Sequence, residues 1–144
     1  MHIHFIGIGG IGMSSLAQYY LAKGHEVSGS DLYSSEITDF LEKGGIKISI
    51  GNYSEFIKKN IDLVVYSPAV PLENPELSRA KELGIKSYSY PQALGKIICA
   101  FFNSDLKKRY LETYPGKEWL LVSDRADQMA ELLTELCYHP HRYK

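Results

Sequence analysis

The sequence predicts an α/β fold with a doubly wound parallel sheet of five or six strands and helices on both faces. Short apolar runs alternate five times with stretches of helical periodicity along residues 1–103, which is typical of parallel strands joined by crossover helices. A cluster of glycines separates the first strand from the first helix. The fourth run, residues 62–67, is β-branched and apolar, as a buried central strand should be.

The first strand breaks into a glycine-rich turn that restarts as a helix. Gly7, Gly9 and Gly12 have the spacing G-x-G-x-x-G of a Rossmann-like turn. In that turn the first glycine allows a sharp bend, the second lets backbone approach a ligand, and the third lets helix pack on strand. A helix start carries unpaired N–H groups and about half a positive charge. The turn therefore predicts a site for a nucleotide diphosphate; the alternative is a tight turn without a ligand.

The second strand, Glu26–Asp31, follows a helix predicted over residues 13–23, which Gly24 ends. It finishes in an acid 19 positions after Gly12. That is close to the spacing of about 20 at which an acidic residue reaches a ribose hydroxyl in dinucleotide sites. Asp31 would also be a favourable cap for the next helix. We favour the ligand role.

A helix with one apolar face is predicted over residues 35–43 and ends at Gly44-Gly45. Lys47–Ile50 follows as the third strand. A weak helical turn over residues 55–59 then leads to the fourth strand. The loop Ser67-Pro68-Ala69-Val70 follows that strand at the edge where open α/β sheets place ligands. The alternative for this loop is an ordinary turn bounded by prolines.

The next helix begins with Asn74 as its cap, Pro75 at the first helical position and Glu76 in the first turn. Residues 85–88 form a fifth strand, and Pro91 opens a helix toward Phe101. Residues 104–144 predict a helix, a strand and an amphipathic helix, which we expect to complete the same sheet as a sixth strand. A dimerising helix is the alternative for this last segment.

Composition excludes several classes of protein. The formal net charge is −1, with 9 basic and 10 acidic residues in 1–103 and 7 of each in 104–144, so no nucleic-acid partner is expected. No run approaches the roughly 20 apolar residues of a membrane span, and the first strand does not resemble a signal peptide. Cys99 and Cys137 have no paired-cysteine spacing, so neither a disulfide framework nor a metal site is predicted. We expect a cytoplasmic protein.

Four segments together carry a more specific pattern. They are Ile6-Gly7-Ile8-Gly9-Gly10-Ile11-Gly12-Met13-Ser14, Ser28-Gly29-Ser30-Asp31, Ser67-Pro68-Ala69-Val70 and Asn74-Pro75-Glu76. In this order they resemble the N-terminal domain of bacterial UDP-N-acetylmuramate:L-alanine ligases of the Mur ligase family, over roughly residues 1–97. The resemblance implies a Rossmann-like domain that binds the UDP portion of UDP-N-acetylmuramate, a peptidoglycan precursor.

The resemblance also implies a set of contacts. The diphosphate would lie on the backbone amides from Gly9 to Ser14, and Ser30 and Asp31 would face the uridine. The family's third strand usually ends in Gly-His, but here it ends in Gly51-Asn52, so an amide replaces a ring at that contact. The nucleotide-binding residues implied are Gly7, Gly9, Gly10, Ile11, Gly12, Met13, Ser14, Ser30, Asp31, Asn52, Ser67, Pro68, Ala69 and Val70.

One part of the family's chemistry is missing. These ligases form an acyl phosphate with ATP and Mg²⁺, which needs a Walker-type loop. The loop is expected just after residue 97, yet G-x-x-x-x-G-K-[ST] occurs nowhere in the chain. His2 and His4 share one face of the first strand, where we predict a packing role, and no catalytic set is predicted. We therefore expect no cofactor in this chain and no ligation by it alone, ATP and Mg²⁺ belonging to separate ligase domains.

Three other functions stay open. A stand-alone NAD(H)-binding regulatory or redox-sensing module would use Asp31 for a nicotinamide ribose equally well. The second possible function is an enzyme whose ATP-binding and alanine-binding domains are supplied by a partner chain. In the third, the nucleotide site is unused and residues 104–144 govern association, for example as a homodimer.

Overall fold

The structure, a computed structural model, describes residues 1–102. Five strands alternate with four helices and one 3₁₀ turn over Ser54–Phe56. The predicted unit over residues 104–144, with its sixth strand, lies outside the described residues. The strands are β1 (His2–Ile6), β2 (Glu26–Asp31), β3 (Lys47–Ile50), β4 (Leu63–Tyr66) and β5 (Lys86–Ser89), and the helices are α1 (Ile11–Ala22), α2 (Glu36–Lys43), α3 (Pro75–Glu82) and α4 (Tyr90–Phe102).

The five strands form one parallel sheet in the order β3-β2-β1-β4-β5. From β1 the chain moves outward through β2 to β3, then crosses to β4 and moves outward in the opposite direction to β5. Because such crossovers are right-handed, α1 and α2 cover one face of the sheet and α3 covers the other. The predicted doubly wound α/β fold is confirmed.

Close packing of the two central strands fixes their positions. Ile3, Phe5, Val64 and Val65 are fully buried, as expected for central parallel strands that are covered on both faces. At Gly29 of β2, an added Cβ would come within 2.5 Å of the Ile8 side chain. The glycine turn can therefore approach β2 closely because residue 29 has no side chain.

Two of the helices are capped by side chains and one is not. Ser35 caps α2, with its hydroxyl accepting from the Thr38 amide and its own amide donating to the Thr38 hydroxyl. Asn74 caps α3 as predicted. Asp31 does not cap α2 or α3, so the alternative prediction that it caps a helix is not observed. The N-cap of α1 is Gly10, and no side chain caps that end.

The chain divides into two compact units, the first being Met1–Tyr90 and the second beginning at Pro91. The sheet belongs to the first unit. Within residues 1–102, no helix combines the length and apolar character needed to cross a membrane.

Candidate functional site

A cavity of about 340 Å³ lies at the carboxyl ends of β1 to β4. β1 and β4 are the neighbours from which the chain departs in opposite directions, and open α/β sheets bind ligands in the crevice at such a point. Its lining residues come from the four loops that follow these strands and from the start of α3. They are Ile6, Gly7, Gly10, Ser30, Asp31, Leu32, Gly51, Asn52, Ser67, Ala69, Val70, Pro71, Asn74 and Glu76.

Gly7 makes the sharp turn that the motif predicts. Its φ is +77°, which strongly favours glycine. A Cβ here would also lie 3.0 Å from the Cβ of Ser67. The amides of Gly7 and Ile8 both donate to the carbonyl of Ser30, at 2.9 and 3.0 Å. The turn is thereby fixed to the end of β2 and closed against the loop after β4.

The first turn of α1 begins at the wall of the cavity. Gly10 lines the cavity and has φ −67° and ψ 143°, the extended conformation of a helix cap. The Ser14 amide donates to the Gly10 carbonyl at 2.8 Å, which closes the first helical hydrogen bond. The amides of Ile11, Gly12 and Met13 belong to the group that an α-helix cannot pair internally. With no side-chain cap present, these amides and the positive end of the helix dipole are available to an anion.

Asp31 contacts the glycine turn directly. Its Oδ2 accepts a hydrogen bond from the Gly9 amide at 2.8 Å, and a Cβ on Gly9 would come within 2.8 Å of the same oxygen. The second glycine therefore makes room for Asp31. The Gly9, Gly10 and Ser14 amides are already engaged in hydrogen bonds within the protein. Of the predicted diphosphate contacts, this leaves the amides of Ile11, Gly12 and Met13.

The third glycine has a different neighbour from the one its motif predicts. A Cβ on Gly12 would come within 2.8 Å of the Tyr90 ring, so Gly12 admits an aromatic side chain. Met13 and Ser14 are buried in α1, while Ile11 is 81% exposed at its start. Pro68 is also exposed, in the loop after β4.

The two remaining walls are short loops held by backbone hydrogen bonds. The loop after β4 begins with the Ser67 amide donating to the Ile6 carbonyl at 3.0 Å, and the Val70 amide donates to the Ser67 carbonyl at 2.9 Å. After β3, the Gly51 amide donates to the Asp31 carbonyl at 2.7 Å. Gly51 has φ +120°, and both Gly51 and Asn52 line the cavity.

The floor of the cavity contains a buried carboxylate that the sequence did not identify as a site residue. Glu76, in the first turn of α3, is fully buried. Ser30 Oγ donates to its oxygens at 2.8 and 2.9 Å, and His4 Nε2 lies 2.9 Å from Oε2. Strands β1 and β2 and helix α3 thus meet at one carboxylate.

This contact continues away from the cavity along one face of β1. His4 Nδ1 lies 2.9 Å from Ser28 Oγ, and the same oxygen lies 2.8 Å from His2 Nε2. At the far end, Asn60 Nδ2 lies 3.3 Å from His2 Nδ1. Burial lowers the pKa of His2 below its ordinary value, with further lowering by His4 and Lys47 and opposing contributions from Glu26 and Asp62. His2 and His4, for which the sequence predicts a packing role, are thus members of a hydrogen-bonded network of polar side chains.

The structure brings most of the predicted binding residues to one cavity. Those that line it are Gly7, Gly10, Ser30, Asp31, Asn52, Ser67, Ala69 and Val70. Gly9, Ile11, Gly12, Met13, Ser14 and Pro68 do not line it. The lining residues missed by the sequence are Ile6, Leu32, Gly51, Pro71, Asn74 and Glu76.

The charge of this lining is unusual for an anion site. It contains two carboxylates, Asp31 and Glu76, and none of its residues is Lys, Arg or His. In the part of the chain that the structure describes, no group of three His, Cys, Asp or Glu side chains is arranged to hold a metal ion. Within this lining, the groups offered to an anion are therefore backbone amides, small hydroxyl and amide side chains and the helix dipole.

Comparison with known proteins gives a consistent family assignment. The family model described as "Mur ligase family, catalytic domain" matches residues 2–102. The chain is 55% identical over 97 residues to a UDP-N-acetylmuramate–L-alanine ligase of Campylobacter jejuni subsp. jejuni, a match that covers 67% of this chain and 22% of that relative. A ligase of the same name from Acetivibrio thermocellus is 56% identical over 97 residues, covering 67% and 20%.

A solved structure is similar over the same extent. The UDP-N-acetylmuramate-alanine ligase of Thermotoga maritima matches with a TM-score of 0.66 and 36% identity, covering 68% of this chain and 23% of that one. The chain therefore spans about a fifth of the length of these relatives.

Proposed function

This chain belongs to the Mur ligase family, and we propose that its cavity binds the UDP portion of UDP-N-acetylmuramate. The observation that carries the proposal is the uncapped start of α1, which borders a 340 Å³ cavity at the point where strand order reverses. The relatives' names supply the ligand, since each is a ligase of UDP-N-acetylmuramate. The phosphates of nucleotides are among the anions that a helix start binds.

The diphosphate lies on the first turn of α1 in this proposal. The amides of Ile11, Gly12 and Met13 donate to its oxygens, and the absent side chain of Gly10 leaves room for them. A Cβ on Gly10 has no neighbour closer than 3.6 Å, so glycine is not required there by packing.

The nucleoside takes the opposite end of the cavity, between the loops after β2 and β3. Asp31 keeps one carboxylate oxygen bonded to Gly9 and presents the other to a ribose or base donor. Asn52 offers an amide in the position where the family usually has a ring. Ser30 donates its hydroxyl hydrogen to Glu76, so it contributes to the nucleoside site through its acceptor lone pairs only.

Ligation itself is proposed to require more polypeptide. ATP and Mg²⁺ would supply activation of the substrate carboxylate, but no sequence in this chain fits an ATP loop. We therefore assign substrate binding, as one step of peptidoglycan precursor synthesis, to this chain and catalysis to additional ligase domains.

The second candidate is an NAD(H)-binding module, and the placement of Asp31 at the end of β2 favours it. Thermal denaturation separates the two functions. UDP-N-acetylmuramate at 100 times its dissociation constant should stabilise the chain by about 2.7 kcal/mol, a shift of several degrees in Tm. NADH at the same concentration should give no shift. Stabilisation by NADH, with none by UDP or UDP-N-acetylmuramate, would replace the proposed function by the second.

A further inference from the structure

A tyrosine side chain lies against the first turn of α1, beside the amides proposed to hold the diphosphate. Tyr90 directly follows β5 as the first residue of α4. A Cβ added at Gly12 would lie 2.8 Å from Tyr90 Cζ and 2.9 Å from Tyr90 Oη. The hydroxyl end of the ring therefore makes this contact, and the missing side chain of Gly12 leaves room for it.

The hydroxyl lies on the side of Gly12 that faces the start of the helix. Cα–Cβ bonds in an α-helix tilt toward its N-terminus, and the unpaired amides of the first turn point in the same direction. A Cβ is one carbon–carbon bond of about 1.5 Å from its Cα, so Tyr90 Oη lies within about 4.4 Å of the Gly12 Cα. A phosphate group that accepts from the Gly12 amide at about 2.9 Å can therefore also reach this hydroxyl.

The hydroxyl is available to a ligand. Tyr90 is only partly buried, and none of the hydrogen bonds found within residues 1–102 engages its hydroxyl. A phenolic O–H is a hydrogen-bond donor. Tyr90 does not line the cavity, so it contacts the ligand only where the diphosphate extends over the first turn of α1.

The charge of the cavity makes such a donor valuable. The lining contains the carboxylates of Asp31 and Glu76, and within it no side chain is basic. Neutral donors must therefore bind the diphosphate at this lining, and the free amides of the first turn are few. A hydroxyl beside them adds a donor without adding a charge.

Strand order indicates which phosphate the hydroxyl reaches. In the order β3-β2-β1-β4-β5, the proposed nucleoside end lies at β2 and β3, whereas Tyr90 follows β5 at the opposite edge. The start of α1 follows β1, between these two ends. A ligand that extends from the nucleoside across α1 therefore places its first phosphate on the uridine side and its second phosphate toward Tyr90.

We propose that the Tyr90 hydroxyl donates a hydrogen bond to the second phosphate of UDP-N-acetylmuramate, the phosphate that carries the sugar. The inference rests on the proposed function, from which it takes the ligand and its orientation. Gly12 then has two roles, since it offers its amide and also lets the hydroxyl approach the diphosphate. Tyr90 makes the site prefer a nucleoside diphosphate derivative to a nucleoside monophosphate.

Tyr90→Phe removes the hydroxyl and keeps the ring that packs on Gly12. In titration calorimetry of the full chain, affinity for UDP-N-acetylmuramate should fall about tenfold, as expected for the loss of a hydrogen bond to a charged group. Affinity for UMP, which lacks the second phosphate, should be unchanged. Tyr19→Phe is the matched control, because Tyr19 is also a partly buried tyrosine but lies near the other end of α1. This variant should bind both ligands as the unmodified chain does.

Phosphorus NMR of bound UDP-N-acetylmuramate locates the contact independently of affinity. Tyr90→Phe should move the resonance of the sugar-side phosphate and leave that of the uridine-side phosphate in place. A tyrosine that only supports the start of α1 would weaken UMP and UDP-N-acetylmuramate equally and shift both resonances. That result, or unchanged affinity of Tyr90→Phe for UDP-N-acetylmuramate, would overturn the inference and leave the proposed function intact. Failure of the unmodified chain to bind UDP-N-acetylmuramate would overturn both.

Discussion

Asp31 and Glu76 are both acidic residues beside the cavity, but the sequence predicts a ligand role only for Asp31. Asp31 ends a strand at a recognisable distance from Gly12, so local spacing identifies it. Glu76 resembles an ordinary acid in the first turn of a helix, and its hydrogen-bond partners His4 and Ser30 lie 72 and 46 positions earlier in the chain. The available signal is the pairing of His4 with Ser28 across two neighbouring strands, because buried polar side chains require hydrogen-bond partners.

The glycines of the motif also differ in what they do. Gly7 needs its positive φ, Gly9 makes room for the Asp31 carboxylate and Gly12 makes room for the Tyr90 ring. The spacing predicts the turn correctly but not the neighbours, since these neighbours are brought in by distant parts of the chain. Gly10 alone has neither a strained φ nor a crowded Cβ position.

Gly10→Asp therefore tests the diphosphate site without disturbing the fold. Aspartate is a favourable N-cap, so the free energy of unfolding should stay within about 0.5 kcal/mol of the original or rise. Its carboxylate takes the first-turn amides and adds a negative charge, so affinity for UDP-N-acetylmuramate should fall at least about tenfold, or about 1.4 kcal/mol. Urea denaturation and titration calorimetry measure the two quantities. Gln18→Glu, which adds the same charge farther along α1, should bind normally; equal affinity of Gly10→Asp and the original chain would locate the anion elsewhere.

At the scale of elements, two helix starts are stabilised by side-chain caps, and a third is left uncapped beside the cavity. α2 and α3 are closed by the side chains of Ser35 and Asn74, while α1 is left open at the cavity. The sequence is consistent with both caps, because Ser35 and Asn74 each precede a segment of helical apolar periodicity and Pro75 directly follows Asn74. The sequence also indicates that no side chain caps α1, because glycine occupies its N-cap position.

Removing each cap should separate the two roles. Ser35→Ala and Asn74→Ala should each lower the free energy of unfolding by about 1 kcal/mol, the usual contribution of an N-cap. Only Asn74→Ala should also weaken ligand binding, because Asn74 lines the cavity and its side chain accepts from the Glu76 amide at 2.8 Å. Denaturant unfolding and calorimetric titration of both variants measure this. Equal losses of affinity in the two variants would contradict the assignment of Asn74 to the site.

For the whole molecule, the order of elements, the parallel sheet and the region of the site all follow from the sequence. Alternation of apolar runs with helical periodicity determines the fold class, and the switch in direction between β1 and β4 determines where the cavity lies. What does not follow is the side-chain arrangement inside that cavity, because it depends on contacts between elements far apart in the chain. The network from Asn60 to Glu76 is the main example.

Backbone amide NMR during titration of the ¹⁵N-labelled chain with UDP-N-acetylmuramate tests the central claim most directly, because it reports both binding and location. The largest shifts should fall on Gly10, Ile11, Gly12 and Met13, with further shifts at Asn52 and Ala69 across the cavity. NADH should leave these signals unchanged. Saturation by UDP-N-acetylmuramate without change at the start of α1, or shifts there with NADH alone, would contradict the claim that this cavity holds the UDP diphosphate.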